Sequence, residues 1–330
     1  MKVVIISGCT GQDGALLSRH LLDLGYEKVI GIDRRTSSKT DWRLRELGLY
    51  DDSRFSVASG DLCDAGSISR LVQEYQPDEF YNLGAMSFVG ESWSTPIATF
   101  KINTIGCINC LEALRQHKKD CRFYQASSSE MFGGENRVEV LNEQSMFYPR
   151  SPYGVSKAAS HWITVNYRES FDMFCCNGIL FNHESEYRGL EFVTRKITDA
   201  VARIHLGKQE FVELGNLDTK RDWGYAGDFV KGMHLMLQQD TPDDYVLATG
   251  VPFQIADFLA SAFGSVGILD YSNYVKQNAK FMRPADVGHL QGDSQKARDV
   301  LGWQPKVSFD KMVSIMVQKD IERVHNENIA

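Results

Sequence analysis

The sequence lacks a paired-cysteine framework, a long apolar run and an excess of positive charge. Its seven cysteines, Cys9, Cys63, Cys107, Cys110, Cys121, Cys175 and Cys176, are odd in number and scattered, which argues against a disulfide-stapled scaffold. Cys107 and Cys110 form a CxxC, but no second pair or nearby histidine completes a zinc site, so no metal is expected. Their surroundings, INTIGCINCLEAL, read as a buried helix in which thiols act as small apolar fillers. Reduced thiols fit a cytoplasmic protein. The N-terminal apolar run spans four residues before Ser7, too short for a secretory signal. No stretch approaches the length that spans a membrane. A formal net charge of -7 argues against a non-specific nucleic-acid binder. Internal repeats and low-complexity segments are absent from the sequence.

What is present is an alternation. Short β-branched or aromatic runs at residues 2–7, 28–32, 54–59, 79–83, 121–127, 173–181 and 245–249 predict strands. Between them, helical spacing is seen at 12–24, 67–75, 97–116, 153–169, 192–206 and 228–238. This predicts parallel βαβ units in a doubly wound α/β sheet of the Rossmann type. Residues 1–181, with a return segment near 217–250, read as a dinucleotide-binding domain. Residues 182–216 and 251–330 read as a smaller substrate domain.

The segment GCTGQDG, from Gly8 through Thr10, Gly11, Gln12 and Asp13 to Gly14, joins the first strand to the first helix. Glycines there allow a tight turn and close approach of backbone to a pyrophosphate, and the helix N-terminus favours the anion. The second strand ends at Asp33, Arg34 and Arg35. An acidic residue at this point binds a ribose hydroxyl and favours NAD, whereas arginine clamps a 2′-phosphate and favours NADP. Two arginines beside Thr36 and Ser37 tilt the reading to NADP, with NAD left open by Asp33. Asp61, followed by Leu62, ends the third strand and can accept from an adenine amino group or cap the next helix.

Tyr153 and Lys157 form a YxxxK pair at i, i+4, on one helix face. An ammonium beside a phenol is expected to lower its pKa, making Tyr153 a general base for a substrate hydroxyl. Ser128 and Glu130 lie at the end of the fifth strand, where ligands sit in such sheets. A hydroxyl at Ser128 can hold the same substrate oxygen as Tyr153. A carboxylate at Glu130 suits a dehydratase, which must remove a carbon-bound proton beside a new ketone and help a hydroxyl leave. The bland alternative is a cap on a surface loop.

Together these motifs resemble the GDP-mannose 4,6-dehydratases of the extended short-chain dehydrogenase/reductase superfamily, from about Val3 to about Val317. The resemblance is carried by GCTGQDG, RRTSS, NLGAMS, SSSEMFG, SPYGVSKAA, NHES, FVTRKI, GNLDTKRDWG, DYVLATG, RPADV and LGWQPK. It implies that Tyr153, supported by Lys157, takes the O4 proton as C4 passes hydride to a tightly bound, recycled NADP. Glu130 then removes the C5 proton and assists loss of the C6 hydroxyl as water. It further implies that Leu83, Gly84, Ala85, Ser87, His183 and Arg188 help hold the cofactor. By the same resemblance Ser87, Asn182, Lys196, Arg221 and Arg283 hold GDP-sugar, the arginines suiting a pyrophosphate. A homodimer or homotetramer is implied as well.

The chain departs from the family pattern at Ser128, where threonine is usual, and at Met86 and Phe88, which replace glutamine and histidine. Ala98 and Tyr225 replace a tyrosine and a histidine, Glu186-Tyr187 replaces a Pro-Arg pair, and Asp33 stands where the family has a neutral or basic residue. The competing readings are the same reaction on GDP-manno-heptose, a nucleotide-sugar epimerase or reductase, and a catalytically silent NADP-binding protein.

Overall fold

The short apolar runs become central strands because their side chains are buried against helices on both faces. The computed structural model describes residues 2–34, 40–133, 140–281 and 289–327. Its main sheet has seven strands: β1 (Val3–Ser7), β2 (Lys28–Asp33), β3 (Phe55–Ser59), β4 (Glu79–Asn82), β5 (Arg122–Ser128), β6 (Cys175–Leu180) and β7 (Asp244–Leu247). The spatial order is β7-β6-β5-β4-β1-β2-β3, and every pairing is parallel. The expected doubly wound Rossmann sheet is therefore present.

Alternation along the strands fills two cores. Val4, Ile6, Tyr81, Tyr124 and Cys176 pack with helices Gln12–Asp23 and Ala226–Met236. Ile5, Phe80, Phe123 and Cys175 face helices Ala65–Tyr75 and Gly106–His117. Each fully buried aliphatic or aromatic side chain contributes about 1.5–3 kcal/mol by leaving water. Cys107 and Cys110 belong to the second core, fully buried. Burial pushes both thiols up, Cys107 to about 12, so neither is a ready thiolate.

A third core joins helices Val193–His205, Ile255–Gly264 and Phe309–Asn326 through Ile197, Val201, Phe258, Phe263, Met312 and Met316. Strand Lys220–Tyr225 lies in a separate small sheet, antiparallel to Pro252–Gln254 and parallel to His289–Gly292 and Asn182–Glu184. The chain rejoins the main sheet only at β7.

The helix expected over 97–116 is interrupted. Pro96–Phe100 passes into a wider π-helical turn at Lys101–Ile105 before Gly106–His117 resumes the α-helix. Within that turn the Asn103 Oδ1 accepts from the Met86 backbone N–H at 2.8 Å, and its Nδ2 donates to the Ser156 hydroxyl at 2.9 Å. The inserted residue thus ties the loop after β4 to the helix that carries Tyr153, a use typical of π-bulges.

Candidate active site

The carboxyl ends of β1, β2, β4, β5 and β6 open on one cavity of about 1230 Å³, which reaches into the small sheet. At its head, Gly8 adopts a left-handed φ of 70° and its carbonyl accepts from the Gly11 N–H at 3.0 Å. A Cβ at Gly8 would sit 2.8 Å from the Gly84 backbone, and one at Gly14 would sit 2.3 Å from the Gly8 oxygen. The close approach of the turn, the first helix and the loop after β4 is therefore closed to side chains. Gly11 is the N-cap of Gln12–Asp23 and offers no side chain to the first-turn N–H groups. An uncapped helix start behind a bare glycine turn suits the pyrophosphate of a dinucleotide.

Asp33 and Arg34 line the cavity at the end of β2. Burial raises the Asp33 carboxyl, with Arg34 and its backbone N–H opposing. Arg35 lies outside the described residues, as does Arg283. Asp61 and Leu62 also line the cavity. Asp61 does not cap the next helix: that place is taken by Asp64, whose carboxylate accepts from Gly66 N–H at 3.0 Å. Asp61 instead accepts from the Cys63 N–H at 2.9 Å.

The catalytic candidates converge from two elements. Ser151, followed by Pro152, starts helix Pro152–Phe171, its hydroxyl accepting from the Gly154 N–H at 3.0 Å. This places Tyr153 in the first turn and Lys157 one turn on. Ser128 closes β5, and its hydroxyl accepts from the Glu130 N–H at 3.2 Å. Ser128 also faces Tyr153 closely enough to draw its phenol down. All four side chains line the cavity.

The expected acidification of Tyr153 by Lys157 is not found among these side chains. The Lys157 ammonium donates to the Ala126 carbonyl at 2.8 Å and lies 5.9 Å from the Tyr153 ring centroid. Burial pushes the phenol up to about 12, against a lowering by Ser128, and Glu130 adds to the rise. Burial also brings Lys157 down to about 8.

The wall after β6 carries Asn182, His183, Glu184 and Arg188. His183 Nε2 meets the Asp13 carboxylate at 2.8 Å, and its Nδ1 meets the Phe181 carbonyl at 2.7 Å. Gln12 donates to the His183 carbonyl at 3.2 Å and accepts from the Ser185 hydroxyl at 2.8 Å. Arg188 pairs with the buried Glu184 at 3.0 Å and covers the Phe192 ring at 3.6 Å. Lys196 donates to the Glu213 carbonyl at 2.7 Å, and Arg221 is buried on strand Lys220–Tyr225. Both line the cavity, so neither is a solvated surface charge. Leu83, Gly84, Ala85 and Ser87 line it from the loop after β4, and Gly8, Thr10 and Gly11 from the turn.

Several lining residues carry no local motif. Arg43 donates to the Thr10 carbonyl at 3.0 Å and stacks on Trp42 at 4.4 Å, and burial brings it down to about 10. Phe88 meets Phe192 edge-on at 5.8 Å. Only the departure from the family pattern at Phe88 pointed here; for Arg43 nothing did.

A glycine turn and a YxxxK helix opening on one shared cavity make this a Rossmann-fold protein of the extended short-chain dehydrogenase/reductase class. Solved structures agree on the fold. The dTDP-glucose 4,6-dehydratase DesIV of Streptomyces venezuelae, with NAD and TYD bound, matches with a TM-score of 0.87 at 23% identity, covering 98% of each chain. RMD of Pseudomonas aeruginosa, complexed with NADPH, matches with a TM-score of 0.80 at 20% identity, covering 98% of this chain and 100% of that one. Sequence comparison goes further. The profile of the family described as GDP-mannose 4,6 dehydratase matches residues 5–316. GDP-mannose 4,6 dehydratase 2 of Arabidopsis thaliana is 46% identical over 99% of this chain and 89% of its own length. The GDP-mannose 4,6-dehydratase of Sinorhizobium fredii (strain HH103) is also 46% identical, over 97% of both. The chain belongs to the GDP-mannose 4,6-dehydratase family.

Proposed function

We propose that the protein is a hydro-lyase that converts GDP-mannose to GDP-4-keto-6-deoxymannose with a bound, recycled NADP. The observation that carries this reading is Glu130: it lines, with Ser128 and Tyr153, the cavity that also holds the dinucleotide turn, and its charge reaches the Tyr153 phenol. An epimerase or a reductase has no need of a carboxylate there. When bound, the nicotinamide supplies the hydride acceptor and donor, and a positive charge that completes the acidification of a phenol otherwise at about 12. Ser128 orients the sugar O4, and Tyr153 takes its proton. The resulting 4-ketone acidifies C5–H, and Glu130 removes that proton. Glu130 then passes that proton to the departing C6 hydroxyl, so that water leaves; the emptied carboxylate takes up a fresh proton from solvent, equivalent to the one shed from O4, and delivers it to C5 as C6 receives hydride.

The residues present fit a dinucleotide. The side-chain-free cradle at Gly8, Gly11 and Gly14 and the uncapped helix start would hold the pyrophosphate. Asp61 and Leu62 would face the adenine, and Leu83 through Ser87, His183 and Arg188 would border the remainder. Arg34 at the end of β2 supports NADP over NAD. Asn182, Lys196 and Arg221 would hold the GDP-sugar, with Ser87. The division of labour is then residues 1–181 and the returning β7 for cofactor, the rest for nucleotide sugar.

Incubation with GDP-mannose and catalytic NADP, followed by mass spectrometry, tests the reading. A loss of about 18 mass units, one water, with no net NADPH is expected. Unchanged GDP-mannose in the presence of bound cofactor would overturn the substrate and direct the search to GDP-manno-heptose.

A cytoplasmic homodimer is the assembly that fits. Ile97 and Phe100 of helix Pro96–Phe100, Ile105 of the π turn, and Val155 and Trp162 of helix Pro152–Phe171 are exposed on adjoining elements, an apolar face of the kind that marks protein contacts. Sedimentation is expected to give twice the chain mass, with Trp162→Glu shifting it toward monomer; a monomeric wild type would exclude the dimer. Among the described residues, no helix is long and apolar enough to cross a membrane.

A further inference from the structure

We propose that Asp13 and His183 form a charge-neutral clasp at the pyrophosphate end of the dinucleotide site, in which His183 positions the turn and is not itself a cofactor ligand through its ring. The inference rests on the reading of the cavity as a dinucleotide site. Both ring nitrogens of His183 are already engaged. A backbone carbonyl can only accept, so Nδ1–H donates to Phe181. The ionised Asp13 carboxylate can only accept, so Nε2–H donates to it at 2.8 Å. A ring with two donors is an imidazolium. It is nine-tenths buried and stacked on Phe229 at 4.8 Å, which fixes its plane.

The surroundings agree with these protonation states. Burial alone would raise Asp13, but His183, with Gln12 and Arg188, brings it down to about 2. Burial alone would lower His183, but Asp13 raises it above the ordinary histidine value, against an opposing push from Arg188. Lys157, Tyr153, Tyr124 and the buried Glu184, which Arg188 partners, are also within electrostatic reach of Asp13.

The clasp solves a problem that the turn creates. Asp13 lies in the first turn of a helix whose N-terminus faces the cavity. A bare carboxylate there suits the helix dipole but repels a pyrophosphate bound at the same N–H groups. The imidazolium cancels that charge. It also ties the turn to strand Asn182–Glu184, which pairs with the strand carrying Arg221, so the cofactor side and the sugar side share one fixed joint.

The test is a double-mutant cycle on the full-length protein, with NADP titrated into wild type, Asp13→Asn, His183→Gln and the double variant. His183→Gln leaves a lone carboxylate and is expected to weaken NADP binding by about tenfold to a hundredfold. Asp13→Asn removes the partner that holds the buried imidazole protonated, so the ring gives up its charge, the site stays neutral, and NADP binding is expected to remain within about threefold of wild type. The double variant, neutral again, is expected to bind better than His183→Gln alone. Adenosine 2′-monophosphate, which has no pyrophosphate, is expected to bind all four proteins equally. A double variant as weak as His183→Gln, or an equal loss of the monophosphate, would make His183 a packing residue and overturn the clasp. Where His183→Gln fails to fold, Asp13→Asn decides alone: a tenfold loss there would make Asp13 a ligand. Failure of the wild type to bind NADP or NAD overturns the functional reading and the clasp with it, whereas wild-type binding with additive losses overturns the clasp alone.

Discussion

Glu130→Gln is expected to lower turnover of GDP-mannose by about a hundredfold to ten-thousandfold while leaving the nucleotide sugar bound. The amide keeps the shape of the side chain and the backbone hydrogen bond that seats the turn on Ser128, but it cannot take the C5 proton or pass one to the departing hydroxyl. The oxidation at C4 does not depend on Glu130. Mixing the variant with GDP-mannose should therefore still give a transient NADPH absorbance, with no product lighter by one water. Normal turnover in this variant would sink the role assigned to Glu130.

Tyr153→Phe is expected to stop the reaction one step earlier. Without the phenol no group accepts the O4 proton, so neither the absorbance transient nor the dehydrated product should form. A loss of at least about a hundredfold is expected. The ring stays buried at the start of its helix, so circular dichroism should be unchanged. An NADPH transient in Tyr153→Phe would reassign the base. The two variants thus separate the halves of the cycle by one optical signal, present in one and absent in the other.

Much of this arrangement was readable in the sequence because it is local. The glycine turn needs three glycines at fixed spacing, and the i, i+4 spacing of Tyr153 and Lys157 sets both on one face of the helix that starts at Pro152. What escaped is non-local or energetically neutral to the pattern. The π turn at Lys101–Ile105 inserts one residue without any breaker, so the apolar spacing still looks like one helix. Asp13 and His183 meet from 170 positions apart. Arg43 belongs to no motif in the sequence, and its role shows only where it meets the Thr10 carbonyl. Lys157 was expected to act on the phenol directly, but the Ala126 carbonyl at the end of the neighbouring strand captures its ammonium. Strand Lys220–Tyr225 lies within the return segment read near 217–250 and carries no strand signal of its own there; it pairs in the small sheet, on contacts distant in sequence.

Two of the departures from the family pattern meet in space, with the Tyr225 hydroxyl 3.4 Å from the Glu186 carboxylate. Burial raises the pKa of both groups, which suits a neutral or shared-proton contact.

Arg323, on helix Phe309–Asn326, stacks over Trp42 at 4.9 Å and pairs with Glu46 at 2.9 Å, while Arg43 stacks on the same Trp42 at 4.4 Å and donates to the Thr10 carbonyl at 3.0 Å. The far end of the chain is thereby buckled to the first loop of the molecule. A fusion partner or deletion that disturbs the last long helix would be felt at the cofactor turn, and loss of activity after such surgery would say nothing about where the chemistry takes place.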